Sequence, residues 1–307
     1  LSRSQSNTWV GHARPLQIVS IILSLITIVF YFQPFKNVAL PQNLAFLKNP
    51  AFTPVGSQLD LAILLGFLVI IGIVQIIKQG RPQGIAPTRS RIYDLGSIIL
   101  SLLALFLTVY SIIRAGHALP LQLPPFRLSW FAALEILKNP QTAIFGIGLD
   151  NFSAIFTRVK DFAYNQSPLW QINSFNVSRS AVLQIFTETG IIGLLSFGLL
   201  IFSVMKSAFV KTTADKQFIS LFVYLIICLF VFPPSLIVWF LFFVVLGLVS
   251  QQSNNETMKQ STDLSNLMPI YIGTVIISIG LIGASGYFLG RSYASEYYFK
   301  KSIDGVT

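Results

Sequence analysis

Basic and aromatic side chains are interleaved along one long, less apolar segment of this 307-residue chain. Between residues 114 and 180 stand Arg114, Arg127, Lys138, Arg158, Lys160 and Arg179, against Glu135, Asp150 and Asp161, which leaves a net +3. Phe126, Trp130, Phe131, Tyr164, Trp170 and Phe175 are interleaved with them. Guanidinium groups grip phosphate through paired hydrogen bonds, and aromatic rings offer flat apolar faces to sugar rings. A ligand with phosphate and sugar parts suits the set. The same composition also suits an aromatic belt with headgroup-level lysines and arginines. Gly146-Ile147-Gly148, ahead of a helix start, offers backbone N–H groups to an anion or simply makes a turn. Glu188 is the other outlier, because it interrupts an apolar run. An ionisable group at membrane depth points to function; the structural alternative is pairing with a neighbour. Gly190 and Gly193 permit close helix approach beside it.

The elements that position these residues follow from composition. Hydrophobic residues make up 53% of the chain and charged ones only 10%, against about 25% charged in an average soluble domain. Mean hydropathy is +0.70. A soluble enzyme, a nucleic-acid binder and a disordered chain are excluded for the whole chain. An all-α polytopic membrane protein remains. The single cysteine, Cys228, forms no internal disulfide. Apolar runs predict spans at residues 16–32, which begin after Pro15, at 59–77, 95–113 and 181–205, and at 268–289. The run 218–250 contains Pro233-Pro234. Two adjacent prolines block helix continuation, so this run is expected to be a tight hairpin of two helices. The total is about seven spans.

Lys78, Arg81, Arg89 and Arg91 lie between the second and third spans, and Lys206, Lys211 and Lys216 between the fourth and fifth. Positive loops stay inside, so residues 1–15, with Arg3 and Arg14, are expected inside too. Residues 33–58 and 114–180 are then outside. The expected organisation is spans one to three over residues 1–113, the outer segment at 114–180, further spans at 181–290, and a polar, helix-forming piece at 291–307. That piece reads like the first helix of a repeat domain, which cannot bury its own face alone. With Leu1 in place of Met, this leads us to expect a fragment.

The outer segment is too long to be a structureless connection without a role. Residues 128–137, LSWFAALEIL, have helical periodicity and end at Asn139-Pro140. After the glycine turn comes LDNFSAIFTRVKDF, where Asp150 or Asn151 can cap a second short helix. Two interfacial helices are expected, followed by the Trp/Asn-rich stretch PLWQINSFN, which holds Trp170 and Asn176. A short echo joins residues 47–60 and 137–150, LKNPAFTPVGSQLD and LKNPQTAIFGIGLD, which share seven of fourteen positions.

Taken in order, Arg127-x-x-Trp130, then LKNP, then GIGLDNF, then Arg179-Ser180 followed by nine residues and Gly190-x-x-Gly193, resemble the O-antigen ligase and O-antigen polymerase superfamily. The match covers roughly residues 120–205. The resemblance implies a GT-C-like helical bundle in a bacterial plasma membrane with its active site facing outward. It implies an inverting glycosyl transfer that needs no metal or other cofactor. The donor is a polyprenyl-diphosphate-linked glycan, the acceptor a lipid, glycan or protein, and the surroundings the lipid bilayer, with no nucleic acid. It implies that arginines hold the diphosphate, Arg127 and Arg179 here. This chain departs from the family at the histidine expected to activate the acceptor, where Arg179 stands. Arginine cannot serve as a base near neutral pH. His117, Asp150, Asp161 and Glu188 are the available bases, and Glu188 ranks first by position. Trp130, Gly146, Gly148, Asn151, Arg158, Lys160, Trp170 and Asn176 complete the expected substrate-binding set. The competing readings are a transporter or channel for an anionic solute and a non-catalytic membrane scaffold. Broken mid-span helices would mark a transporter; the sequence suggests a break only at Pro233-Pro234.

Overall fold

The structure is a computed structural model and describes residues 6–39, 41–49, 52–79, 88–115, 122–209 and 216–260, with helical positions at Gly280, Gly283, Tyr287 and Arg291. Among the described residues every regular element is helical. In order they are α1 (Ser6–Tyr31), α2 (Gln58–Gln79), α3 (Thr88–Ala115), α4 (Phe126–Glu135), α5 (Pro140–Phe145), α6 (Phe152–Val159), α7 (Phe162–Asn165), α8 (Ala181–Phe209), α9 (Lys216–Val231) and α10 (Leu236–Gln260). Short 3-10 turns cover Gln42–Lys48 and Ile136–Lys138. The chain divides into a unit at Leu1–Ser253 and another at Asn254–Thr307.

Three helices are long and apolar enough to cross a membrane: Gln58–Ile77, Leu95–Arg114 and Ala181–Lys206. This is the architecture of an all-α membrane protein. The apolar parts of α1, α9 and α10 reach only 10–17 residues, short of the roughly 20 that a hydrocarbon core requires. Three helices, rather than about seven, therefore meet the length criterion among the described residues. The expected span at 268–289 lies outside them apart from three helical positions, as does the 291–307 piece apart from Arg291.

The spans are joined by small and polar contacts, as expected where lipid supplies no hydrophobic drive between helices. The Ser101 hydroxyl of α3 meets Ser20 and Ser24 of α1 at 2.7 and 3.0 Å. The Tyr224 hydroxyl of α9 donates to the Ile63 carbonyl of α2 at 2.8 Å. Ile63, Phe67, Leu225, Leu229, Phe242 and Val245 form an apolar cluster shared by α2, α9 and α10. Outward faces carry exposed Ile18, Ile22, Leu195, Leu199, Phe202 and Phe240, a pattern that lipid solvates and water does not.

The apolar run at 16–32 coincides with the apolar part of α1, Leu16–Tyr31, although the helix itself begins at Ser6. Two expectations need correction. The described residues of the 114–180 segment hold four short helices, not two. Asn139 restarts the chain by accepting the Gln141 amide, with Pro140 at the first position of α5, and Asp161 caps α7 in the same way. Lastly, α8 is broken: Gly190 has φ 68° and ψ −161° inside it. The proline hairpin takes its expected form, with α9 and α10 folded so that Phe222 stacks on Phe242 at 5.5 Å.

Candidate functional site

The outer segment folds as a cap with its own core. Leu128, Ala132 and Ile136 pack against Phe152, Ile155 and Phe156 of α6, with Tyr164 and Phe175 closing the cluster. Phe186 of α8 packs against the same core. Burying these rings fixes the start of α4 beside α7 and seats the cap on the first turns of α8.

Two polar groups result. The outer one centres on Arg127. Its Nη2 donates to Asp161 Oδ2, and the guanidinium lies over the Phe131 ring, 5.6 Å from its centre. Asp161 divides its oxygens, since Oδ1 accepts the Tyr164 amide at 3.0 Å and so caps α7. Arg127 lines a shallow cleft of about 380 Å³ together with Pro125, Leu128, Tyr164, Ser167 and Leu169. Lys160 sits over the Tyr164 ring at 4.8 Å and donates to the Asn173 carbonyl. The Tyr164 amide above all, and Arg127 after it, hold the Asp161 carboxyl below the usual carboxylate range. Burial pushes the Tyr164 phenol up.

The inner group runs along the first turns of α8. The Arg179 amide donates to Ser129 Oγ of α4 at 3.0 Å, and the Ser178 amide to Gln184 Oε1 at 3.0 Å. Gln184 Nε2 then donates to Glu188 Oε1 at 2.9 Å. Glu188 is buried, and the Asp150 amide faces its carboxylate as a further donor. Burial draws the Arg179 guanidinium below the usual arginine value. Ser129 is buried on the side of α4 that faces α8, whereas Arg127 projects from the exposed side. The two groups therefore flank α4.

The glycine turn does something other than expected. The break at Gly190 frees the carbonyls of Thr187 and Glu188 from the helical ladder. The amides of Ile147 and Gly148 fill them at 3.1 and 3.0 Å, while the Gly146 amide bonds Thr142. All three amides are occupied, so Gly146 and Gly148 do not present N–H groups to an anion. Asn151 stands at the N-cap position of α6 but makes no cap bond. Its side chain donates to the Ile147 carbonyl at 3.2 Å and braces this turn instead. Trp130, Arg158, Trp170 and Asn176 are exposed. Among the described residues no hydrogen bond or ion pair joins them to Arg127, Arg179 or Glu188. His117 lies outside the described residues. Among the described residues no three His, Cys, Asp or Glu side chains stand close enough to hold a metal ion.

Gln184 and Ser129 are the participants that the sequence reading missed, and Asp161, counted there as an available base, is instead the partner of Arg127. Gln184 was legible, because residues four apart share a helix face. Asp161→Asn tests the outer group, since asparagine caps a helix as well as aspartate while removing the charge beside Arg127. Inorganic pyrophosphate should bind several-fold tighter to this variant by calorimetry; weaker binding would show that the carboxylate orients the guanidinium rather than competing for it. The sign of the pH effect follows from the lowered carboxyl. Its stabilisation is complete above about pH 4, the unfolded value, and is lost as pH falls through the lower folded value. The thermal stabilities of wild type and Asp161→Asn should converge on acidification below that point.

No protein-family model, curated protein or solved structure matches this chain.

Proposed function

We propose that the chain is a membrane glycosyltransferase of the O-antigen ligase or polymerase type. It moves a glycan from a polyprenyl-diphosphate carrier to a lipid, glycan or protein acceptor on the outer face of a bacterial plasma membrane. One observation carries the reading: the motif segments, far apart in sequence, pack on one another. Arg127-x-x-Trp130 meets Arg179 through Ser129, and the GIGLDNF stretch is bonded to Thr187 and Glu188 between Ser180 and Gly190. The multi-pass bundle of about seven spans, with positive loops inside, belongs to the same proposal.

The chemistry is a displacement at the anomeric carbon. An acceptor hydroxyl attacks, the bond to the diphosphate breaks, and negative charge develops on the leaving group. In this reading Arg127 and Arg179 offset that charge electrostatically, Arg127 from the open flank of α4 and Arg179 from its more buried flank. Glu188 is the carboxylate to which this reading assigns the acceptor's proton, and Gln184 holds its Oε1. The test is incubation of the purified protein with a lipid-diphosphate glycan and candidate acceptors. Released polyprenyl diphosphate together with a glycosylated acceptor is the expected result; an intact donor with every acceptor class would overturn the proposal. Arg179→Lys is expected to keep part of the activity if its role is charge alone. Complete loss would assign it paired hydrogen bonding, which lysine cannot reproduce.

One observation favours a second reading, a transporter for an anionic solute. Broken helices near a binding site are a transporter feature, and α8 breaks at Gly190. Against this, the carbonyls released there are taken up by the Ile147 and Gly148 amides and are not left open toward a passing ion. Uptake of labelled anions into proteoliposomes, without donor turnover, would favour transport.

A further inference from the structure

The two cap helices expected to lie at the membrane surface differ in what they leave uncovered. On α6 the large apolar residues Phe152, Ile155 and Phe156 are buried, and the exposed positions are Ala154, Thr157 and Arg158. Helix α4 is apolar on both sides. Leu128, Ala132 and Ala133, with Ser129, face α6 and α8. Phe126, Trp130, Phe131 and Leu134 are 40–57% exposed. At 3.6 residues per turn those four positions, with Arg127, span roughly 140° of arc opposite the buried face. Leu137 and Lys138, both exposed, follow in the next turn. A helix that is apolar all round needs a cover on each face.

We propose that the outer face of α4 lies in the headgroup–acyl boundary of the outer leaflet of the membrane that the chain spans, while α6 faces water. Three observations select lipid as the occupant. Helix α4 leans on α8, which is long and apolar enough to cross a membrane. Arg127 and Lys138 stand toward one edge of this arc, each also paired with a carboxylate, Asp161 and Glu135, while Trp130 and the other rings fill the rest, an arrangement that apolar chains below and phosphates above would stabilise. A second copy fits less well, since antiparallel pairing of this face would set Arg127 against the partner copy's lysine and parallel pairing would oppose like residues. The consequence is positional. Arg127, which lines the cleft, then sits at phosphate level, so an anionic lipid headgroup reaches it without leaving the leaflet.

The test uses the full chain with Trp9, Trp170 and Trp239 replaced by phenylalanine, so that Trp130 is the sole tryptophan. It is reconstituted in vesicles of equal phosphatidylcholine and phosphatidylglycerol whose acyl chains are brominated near the headgroup. Trp130 emission should be blue-shifted, lose most of its intensity to the bromines and resist aqueous iodide. A tryptophan at Arg158→Trp in a Trp130→Phe background should show the reverse. If the triple replacement does not fold, a nitroxide at Leu134→Cys, with Cys228 replaced by serine, should be relaxed by dissolved oxygen more than by a water-soluble nickel chelate. Iodide access at Trp130 without bromine quenching would overturn the proposal. So would shielding from both quenchers with cross-linking between copies, which would make the face a self-association surface. The readings need no substrate, so their failure and the failure of the glycosyltransferase proposal are distinguishable.

Discussion

Replacing Arg127 by alanine is expected to lower the glycan-transfer rate by about 10²–10³-fold, the usual cost of deleting one preorganised group that faces developing negative charge. That corresponds to about 3–4 kcal/mol of lost transition-state stabilisation. The protein itself should survive. The side chains of Arg127 and Asp161 are 53% and 35% exposed, and pairs this open contribute roughly 0–1 kcal/mol to stability. The cap core beneath them rests on Leu128, Ile136 and the Phe152–Phe156 rings, which the substitution leaves in place. Rate and fold therefore separate, with transfer collapsing while the thermal midpoint in detergent moves little. Lysine at the same position is the graded control. It keeps the charge but not the fork that holds two phosphate oxygens, and intermediate activity is expected. Direct binding of the lipid-diphosphate donor should weaken in step with the rate. An alanine variant that transfers at the wild-type rate would remove Arg127 from the mechanism.

What could be read in the sequence divides by the range of the signal. The apolar runs of α2, α3 and α8 were visible because burial in lipid demands about 20 continuous apolar residues, a purely local property. The turn at Pro233-Pro234 was visible because proline lacks the donor that a helix needs. The Gln184–Glu188 pair was within reach of the same kind of reasoning, since the two stand four apart, but only Glu188 was singled out. The break at Gly190 was not visible. A glycine within TETGIIG reads as an ordinary helical residue, and only the arrival of the 146–148 backbone gives the freed carbonyls new partners. Similarly, Arg127 and Asp161 were each counted as charges, but their pairing across 34 positions depends on α7 folding beside α4. The motif order joined segments that pack on one another; it did not predict that α4 would stand between Arg127 and the Arg179–Glu188 strip.

The largest expected loss of stability lies where two glycines let backbones touch. A methyl group added at Gly146 would meet the Glu188 carbonyl carbon and oxygen at 2.2 Å, and one at Gly190 would meet the Ile144 carbonyl oxygen at 2.4 Å. Both neighbours are backbone and cannot swing aside. Each glycine also has positive φ, 74° and 68°, which costs an L-residue roughly 1–2 kcal/mol. Forcing the chains apart would break the Ile147–Thr187 and Gly148–Glu188 bonds and strand carbonyls, at about 1–3 kcal/mol for each group left unsatisfied. Gly146→Ala and Gly190→Ala are each expected to cost about 4 kcal/mol or more, a large share of a domain's total stability. Gly56 supplies the control. It matches Gly146 in the LKNP echo and has φ 98°, but no atom lies within 4 Å of its added methyl. Gly56→Ala should pay only the backbone term, about 1–2 kcal/mol. Thermal unfolding in detergent should then rank wild type above Gly56→Ala, and Gly56→Ala well above the other two, with Gly146→Ala shifted by roughly 10 °C or more. The Gly146 and Gly190 variants should be non-additive, because each disrupts the same crossing. Gly146→Ala melting together with Gly56→Ala would mean that the cap and α8 are not joined backbone to backbone. In that case the position of Glu188 under the Gly148–Asp150 turn would lose its support.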